Sequence, residues 1–239
     1  MTKYDTKFYQ RQQQGSYESA RIVLGFLRQN LTVASACDVG CGAGTWIKAL
    51  LEDGVPDVMG FDGAYAEPTL MIPKQNFTAA DLSAPLSAPR RYDLAISLEV
   101  AEHLPRERSA GFVADLTRLA PAVLFSAAVP FQGGTDHVNE RWQGFWVEEF
   151  ARYGYIVRDL LRPLIWEDRR VEPWYRQNTL LFLAADHPQA TALATTVAGL
   201  RMPHSLVHPD LVPSGMGDLG VILRMAYWWA IGRIKRILA

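Results

Sequence analysis

A rhythm limits what this chain can fold into. Between Ala34 and Val129, short β-favouring runs alternate with segments whose apolar residues recur at helical spacing. The runs "ASACDVG", "DVMGFD", "NFTAADL", "YDLAISL" and "AVLFSAAV" read as strands. "GTWIKALLEDG" reads as a helix stopped by Gly54, and "PRERSAGFVADLTRLA" as a helix opened by Pro105. Such alternation builds βαβ units, whose parallel strands need helices over both faces. Further on, "FWVEEFARYG" is helical, and two late strands, "YIVRDLL" and "NTLLFLAA", flank the long insertion "RPLIWEDRRVEPWYRQ". That arrangement suits an antiparallel hairpin at the sheet edge. At the other end, "YESARIVLGFLRQN" sets Ala20, Val23, Leu24 and Leu27 on one helical face. The expected fold is α/β: a doubly wound (Rossmann-like), mainly parallel seven-stranded sheet with an antiparallel edge hairpin, an N-terminal helical cap and a C-terminal helix.

The 239 residues, 49% hydrophobic and 21% charged, suffice for one sizeable core. Residues 1–185 are read as that domain and 186–239 as an extension, beginning with a loose Pro-, His- and Gly-rich connector over 186–218. A net charge of -1 supplies no general basic face for a phosphate backbone, so nucleic acid is set aside as a partner. Cys37 closes a strand and Cys41 sits in the following loop, too far apart along extended chain to bridge; reduced thiols in a cytoplasmic protein are expected. The first twenty residues are polar and lack the apolar core of a secretion signal.

The loop after the first strand, "DVGCGAGTW", is the chemical centre of the sequence. In open α/β sheets ligands sit beyond the carboxyl ends of the strands, and glycines there let backbone approach them closely. A dinucleotide loop would read G-x-G-x-x-G, but here Gly40, Gly42 and Gly44 alternate and position 45 is Thr. Asp38 would also set a carboxylate near the pyrophosphate. A cationic ligand without phosphate fits better, and S-adenosylmethionine carries a sulfonium and an ammonium.

"DVGCGAG" resembles motif I of the class I S-adenosylmethionine-dependent methyltransferases. Three further segments follow in the same order: "GFDG", "AADL" and "SLEVAEHLP", the last similar to the "EVxEHL" segment common in small-molecule members. The resemblance implies a cofactor site made by Asp38, Gly40, Cys41, Gly42 and Gly44. It also implies that Asp62, beside Gly63, accepts the ribose hydroxyls, that Asp81, beside Leu82, binds the adenine amino group, and that Leu98 and Glu99 line the pocket.

The methyl donor is already activated, so the protein must align a nucleophile, exclude water and remove a proton where the nucleophile requires it. No metal is chemically obligatory, and His137 with Glu140 does not spell a metal motif. The loop "PFQGGTDHVNERW" gathers Gln132, Asp136, His137, Asn139, Glu140 and Trp142 at a strand end. His137 is the candidate general base for an alcohol, or else a hydrogen-bonded shaper of the loop. Asp136 or Glu140 is available to orient it, although neighbours on an extended chain point apart, which favours a partner from elsewhere. His103 is a second catalytic candidate, or packs beside the cofactor. Tyr9, Gln14 and Tyr17 either close over the cofactor or belong to a plain surface helix.

"EPWYRQN" and "QGGTDHVNE" are similar to segments of methyltransferases in glycan and natural-product pathways. That resemblance implies O-methylation of a sugar or other polyhydroxylated small molecule, with Trp174, Tyr175 and Arg176 lining its site or packing the sheet edge. Residues 219–239, "LGVILRMAYWWAIGRIKRILA", form a basic amphipathic pattern with Arg224, Arg233, Lys235 and Arg236 outside the apolar arc. Such a helix suits peripheral contact with the inner face of an anionic membrane and a lipid-linked glycan acceptor, or packing on its own domain or in a homodimer. The rival reading is a non-catalytic S-adenosylmethionine-binding scaffold recruiting a partner through this helix; a nicotinamide-dependent oxidoreductase is disfavoured by the glycine spacing.

Overall fold

The computed structural model describes residues 6–88, 90–196 and 204–211, and their side chains except at 6–12 and 194–196. The amphipathic pattern over 219–239 and the side chain of Tyr9 lie outside the described residues. Seven strands form one sheet: β1 (Ser35–Val39), β2 (Asp57–Asp62), β3 (Phe77–Ala79), β4 (Leu94–Leu98), β5 (Ala122–Ser126), β6 (Tyr155–Arg158) and β7 (Leu180–Ala184). Their order is β3-β2-β1-β4-β5-β7-β6. The first five strands run parallel, while β7 is antiparallel to both β5 and β6, as the edge-hairpin reading requires.

The strands read as near-continuous apolar runs because both faces are covered. In β4, Leu94, Ile96 and Leu98 enter one core and Ala95 the other; in β5, Ala122 and Leu124 oppose Val123 and Phe125. Helices α1 (Thr6–Arg28) and α2 (Thr45–Glu52) cover the first face, where Val23, Leu24 and Leu27 meet Trp46, Ile47 and Leu50. On the second face lie α3 (Ser109–Leu119) and α4 (Gln143–Arg152). There Phe150 of α4 stacks on Phe182 of β7 with ring centroids 3.9 Å apart. Each such side chain contributes about 1.5–3 kcal/mol by leaving water.

Gly54 ends α2 at φ +82°, with Gly54 N–H donating to Leu51 O (3.2 Å) and Val55 N–H to Leu50 O (2.9 Å), a Schellman closure. Pro105 does not open α3 directly; it precedes a 3₁₀ turn at Arg106–Arg108, and α3 begins at Ser109.

The insertion between β6 and β7 forms α5 (Arg162–Ile165) and α6 (Pro173–Asn178). Arg162 is fully buried, paired with Asp159 and donating to the carbonyl of His204 at 2.9 Å. The stretch read as a loose connector contributes α7 (Ala190–Thr196), and Gln189 and His208 bond Asn30 and Gln177. One compact unit extends through His208; a second begins at Pro209, of which the turn Pro209–Leu211 is described. No helix among the described residues is long and apolar enough to cross a membrane.

The strand order positions the site. From the adjacent β1 and β4 the chain crosses over to opposite sides, so a crevice opens beyond their carboxyl ends. Ser97 Oγ donates to Val39 O at 2.9 Å and ties these two ends together.

Candidate active site

The glycine loop leaves β1 by crossing the end of β2: Gly40 N–H and Cys41 N–H both donate to Phe61 O, at 2.7 and 3.2 Å. Gly40 holds φ +85°, and a Cβ there would stand 2.3 Å from Val100 of the loop after β4. Only glycine satisfies both constraints. Gly40→Ala is therefore expected to cost about 1–3 kcal/mol in thermal unfolding. Gly42→Ala, whose Cβ would meet nothing within 4 Å, should carry only the strain of φ +52°. Equal melting temperatures for the two variants would refute the Val100 contact as the cause.

Asp62, at the end of β2, is 4% exposed. Its Oδ2 accepts Gly42 N–H (2.7 Å), and its Oδ1 accepts Gly63 N–H (2.7 Å) and the Tyr65 hydroxyl (2.5 Å). Asp38 lies deeper, with Oδ2 unpartnered; burial pushes its carboxyl well above the usual range, and the charge of Asp62 acts in the same direction. Asp81 is the opposite case. Exposed on the loop after β3, it accepts the Ser83 hydroxyl and amide, which hold it below the usual carboxylate value.

Asp62 and Asp81, but not Asp38, border a cleft of about 830 Å³ that runs from Asp62, Tyr65 and Asp81 past Gly40 to Glu99, His103 and Asp136. Its size suits a nucleoside-sized ligand with room beside it. Arg108 supports the floor by donating to Leu82 O (3.1 Å) and Ala84 O (2.8 Å) while pairing with buried Asp115.

The far end is built around Glu99, which directly follows β4 at φ +57°, a strained conformation for a non-glycine residue. Gln132 and Asn178 donate to its carboxylate at 2.9 and 3.2 Å, and Gln177 continues this amide network. Beside it Glu102 is fully buried, and its carbonyl accepts Val138 N–H (2.9 Å) and Asn139 N–H (3.0 Å). Those bonds bring the loop after β5 against the turn after β4, so the rings of His103 and His137 meet edge to face, 4.9 Å apart. Burial pushes the carboxyls of Glu99 and Glu102 up, Glu102 further because of the charge of Glu99. Partial burial and the neighbouring His137 hold His103 below its ordinary value.

Among the sequence-derived cofactor candidates, Gly40, Asp62, Gly63, Asp81, Leu82 and Glu99 line the cleft. Asp38, Cys41, Gly42, Gly44 and Leu98 are not among the residues that line it. His103 and Asp136 reach the cleft wall, and His137 sits directly behind His103. The carboxylate that orients His137 comes from its own loop: Glu140 Oε1 lies 3.1 Å from Nδ1, one helical-type step away rather than adjacent. Tyr17 points away from the site and bonds Glu52 at the opposite end of α2. Trp174, Tyr175 and Arg176 do not line the cleft; Tyr175 packs on Trp46, and Arg176 bonds Trp166 O. Gln177 and Asn178 of the same segment reach the site instead. Tyr65, Glu102 and these two amides escaped the sequence reading. The i, i+3 repeat of Glu99 and Glu102 before His103 was the one visible signal.

A family profile for a methyltransferase domain matches residues 9–162, which include the glycine loop, Asp62, Asp81 and the imidazole end of the cleft. The chain belongs to that methyltransferase family. The fold of this methyltransferase is shared by the methyltransferase domain of bacterial CtHen1, at 20% identity over 71% of this chain and 99% of that one, with a TM-score of 0.51. A putative O-methyltransferase from Nostoc punctiforme gives 10% identity over 69% of this chain and 55% of that one, with a TM-score of 0.50. Magnesium protoporphyrin IX methyltransferase from Synechocystis, crystallised with S-adenosylmethionine, gives 17%, 71% and 79%, with a TM-score of 0.47. No curated protein matches the sequence.

Proposed function

We propose that this methyltransferase transfers the methyl group of S-adenosylmethionine to a hydroxyl oxygen of a polyhydroxylated small molecule, a sugar or related metabolite. S-adenosylmethionine is the cofactor of the class I fold to which the chain belongs. The observation that carries the acceptor reading is the asymmetry of the cleft. Carboxylates suited to a ribose and an adenine stand at one end, and a carboxylate held by amides beside two imidazoles stands at the other.

In the proposed step the acceptor oxygen attacks the methyl carbon in line with the S–C bond. That bond breaks, sulfur keeps the electron pair as a neutral thioether, and the oxygen loses its proton at the imidazole end. Alignment and exclusion of water supply about 7–11 kcal/mol. Asp62 and Asp81 hold the nucleoside, Glu99 and its amides orient hydroxyls, and His137, fixed through Nδ1 by Glu140, is the candidate base. A non-catalytic scaffold would have no use for a strained carboxylate and an imidazole lining an open cleft, with a second imidazole packed against the first.

His137→Ala is expected to lower turnover roughly 10²–10⁴-fold, the usual worth of a general acid or base, with S-adenosylmethionine affinity nearly unchanged. Mass spectrometry of a glycan and metabolite extract incubated with isotopically labelled methyl donor reads this out. Label appearing only on nitrogen or carbon would refute the oxygen assignment.

A further inference from the structure

We propose that Glu102, His103 and His137 form a binding site for one divalent transition-metal ion of the imidazole-preferring class, such as Zn²⁺, Fe²⁺ or Co²⁺. One oxygen of Glu102 and one nitrogen of each imidazole lie within 4.8 Å of one another, close enough for small side-chain movements to bring all three onto one ion. Two imidazoles and a carboxylate on one side leave the remaining positions open, a set that suits these metals and not Mg²⁺ or Ca²⁺, which take oxygen ligands.

A second observation points to a ligand. Glu102 is fully buried, and neither carboxylate oxygen makes a hydrogen bond of ordinary geometry, although the Ala128 main chain and the Glu99 carboxyl stand close by. A carboxylate placed so is costly unless it is neutralised or coordinates a cation. The backbone bonds from Val138 and Asn139 to Glu102 O clamp the two ligand-bearing loops to each other, so the cluster is held from both sides. Glu140 on His137 Nδ1 is the outer carboxylate that metal-bound histidines commonly carry. His103 is exposed at the cleft, which gives an ion its way in.

The inference rests on reading this end of the cleft as the acceptor's. It gives His137 a second role: in the metal-free protein the imidazole is free to act as the base proposed above, and with an ion bound it holds the metal and takes no proton. Chelator-treated full-length protein should take up one equivalent of Co²⁺ with the d–d absorption of a nitrogen- and oxygen-ligated ion. His103→Ala and Glu102→Gln should each weaken uptake roughly 100-fold, and the more exposed outer-sphere variant Glu140→Gln roughly 10–100-fold. His187→Ala, far from the cluster in sequence and outside the cleft, should leave uptake unchanged. Calorimetry with S-adenosylmethionine on the same samples separates the two readings. Intact cofactor binding with no Co²⁺ spectrum, or with uptake indifferent to Glu102→Gln and His103→Ala, overturns the metal site and leaves His137 as a free base. Loss of cofactor binding in the unsubstituted protein would instead overturn the methyltransferase reading of the cleft.

Discussion

Asp62→Ala is expected to weaken S-adenosylmethionine binding by roughly 10²–10⁴-fold. The estimate assumes two ribose hydroxyls donating to a carboxylate, each worth about 1.5–3 kcal/mol, with about 1.4 kcal/mol per tenfold in affinity. Asp62 can accept them because it is buried at a strand end yet still borders the cleft, and because a carboxylate offers about four lone-pair sites. Three donors already occupy it, of which the hydroxyl of Tyr65, a residue 80% exposed, is the one free to swing away. The substitution also removes the anchor of Gly42 N–H, so the loop loses preorganisation as well as a partner. Calorimetric titration with S-adenosylmethionine and its demethylated thioether should show both ligands weakened alike. An unchanged dissociation constant for either would remove Asp62 from the nucleoside site.

The second large effect concerns stability. Asp115 of α3 is 2% exposed and accepts Arg108, Arg118 and the Leu86 amide (2.9 Å). Arg118 is well solvated and contributes little, whereas the Arg108 side chain is only 9% exposed. Asp115→Ala strands the Arg108 guanidinium and the Leu86 amide without their acceptor, and breaking a buried pair this way costs about 3–5 kcal/mol. Chemical denaturation measures it. The loop bearing Asp81 should loosen too, because Arg108 holds it through Leu82 O and Ala84 O. Replacing both partners, Arg108→Met with Asp115→Leu, should recover much of the stability while cofactor affinity stays low. Full recovery of affinity in that double variant would show that the loop does not depend on the pair.

Much of this was legible before any coordinates. Strand periodicity of two and helix periodicity of 3.6 are local consequences of backbone geometry, so "YDLAISL" and "FWVEEFARYG" announced β4 and α4 by themselves. The acidic residues at successive strand ends were legible for a similar reason: a parallel sheet places all its carboxyl ends on one side, and order along the chain becomes proximity in space.

The imidazole end was not legible in the same way. His137 and Glu102 lie in loops after different strands, and nothing local says that the Glu102 carbonyl will receive two amides from the other loop. The orienting role of Glu140 depended on the curl of its own loop, where Gly133, Gly134 and Asp136 all take positive φ and abolish the extended alternation assumed from sequence. Asn178 reaches Glu99, and Gln177 reaches Gln132, only because β7 inserts between β5 and β6, a pairing choice made by the whole sheet.

The order of elements, the glycine loop and the carboxylates at the strand tips were thus determined by the amino-acid sequence alone, since each rests on dihedral preferences and periodicities that span a few residues. Which side chains face one another across the crevice was decided by tertiary structure. Contacts between loops distant along the chain are selected by the packing and hydrogen bonding of the complete sheet, and no short stretch carries that information.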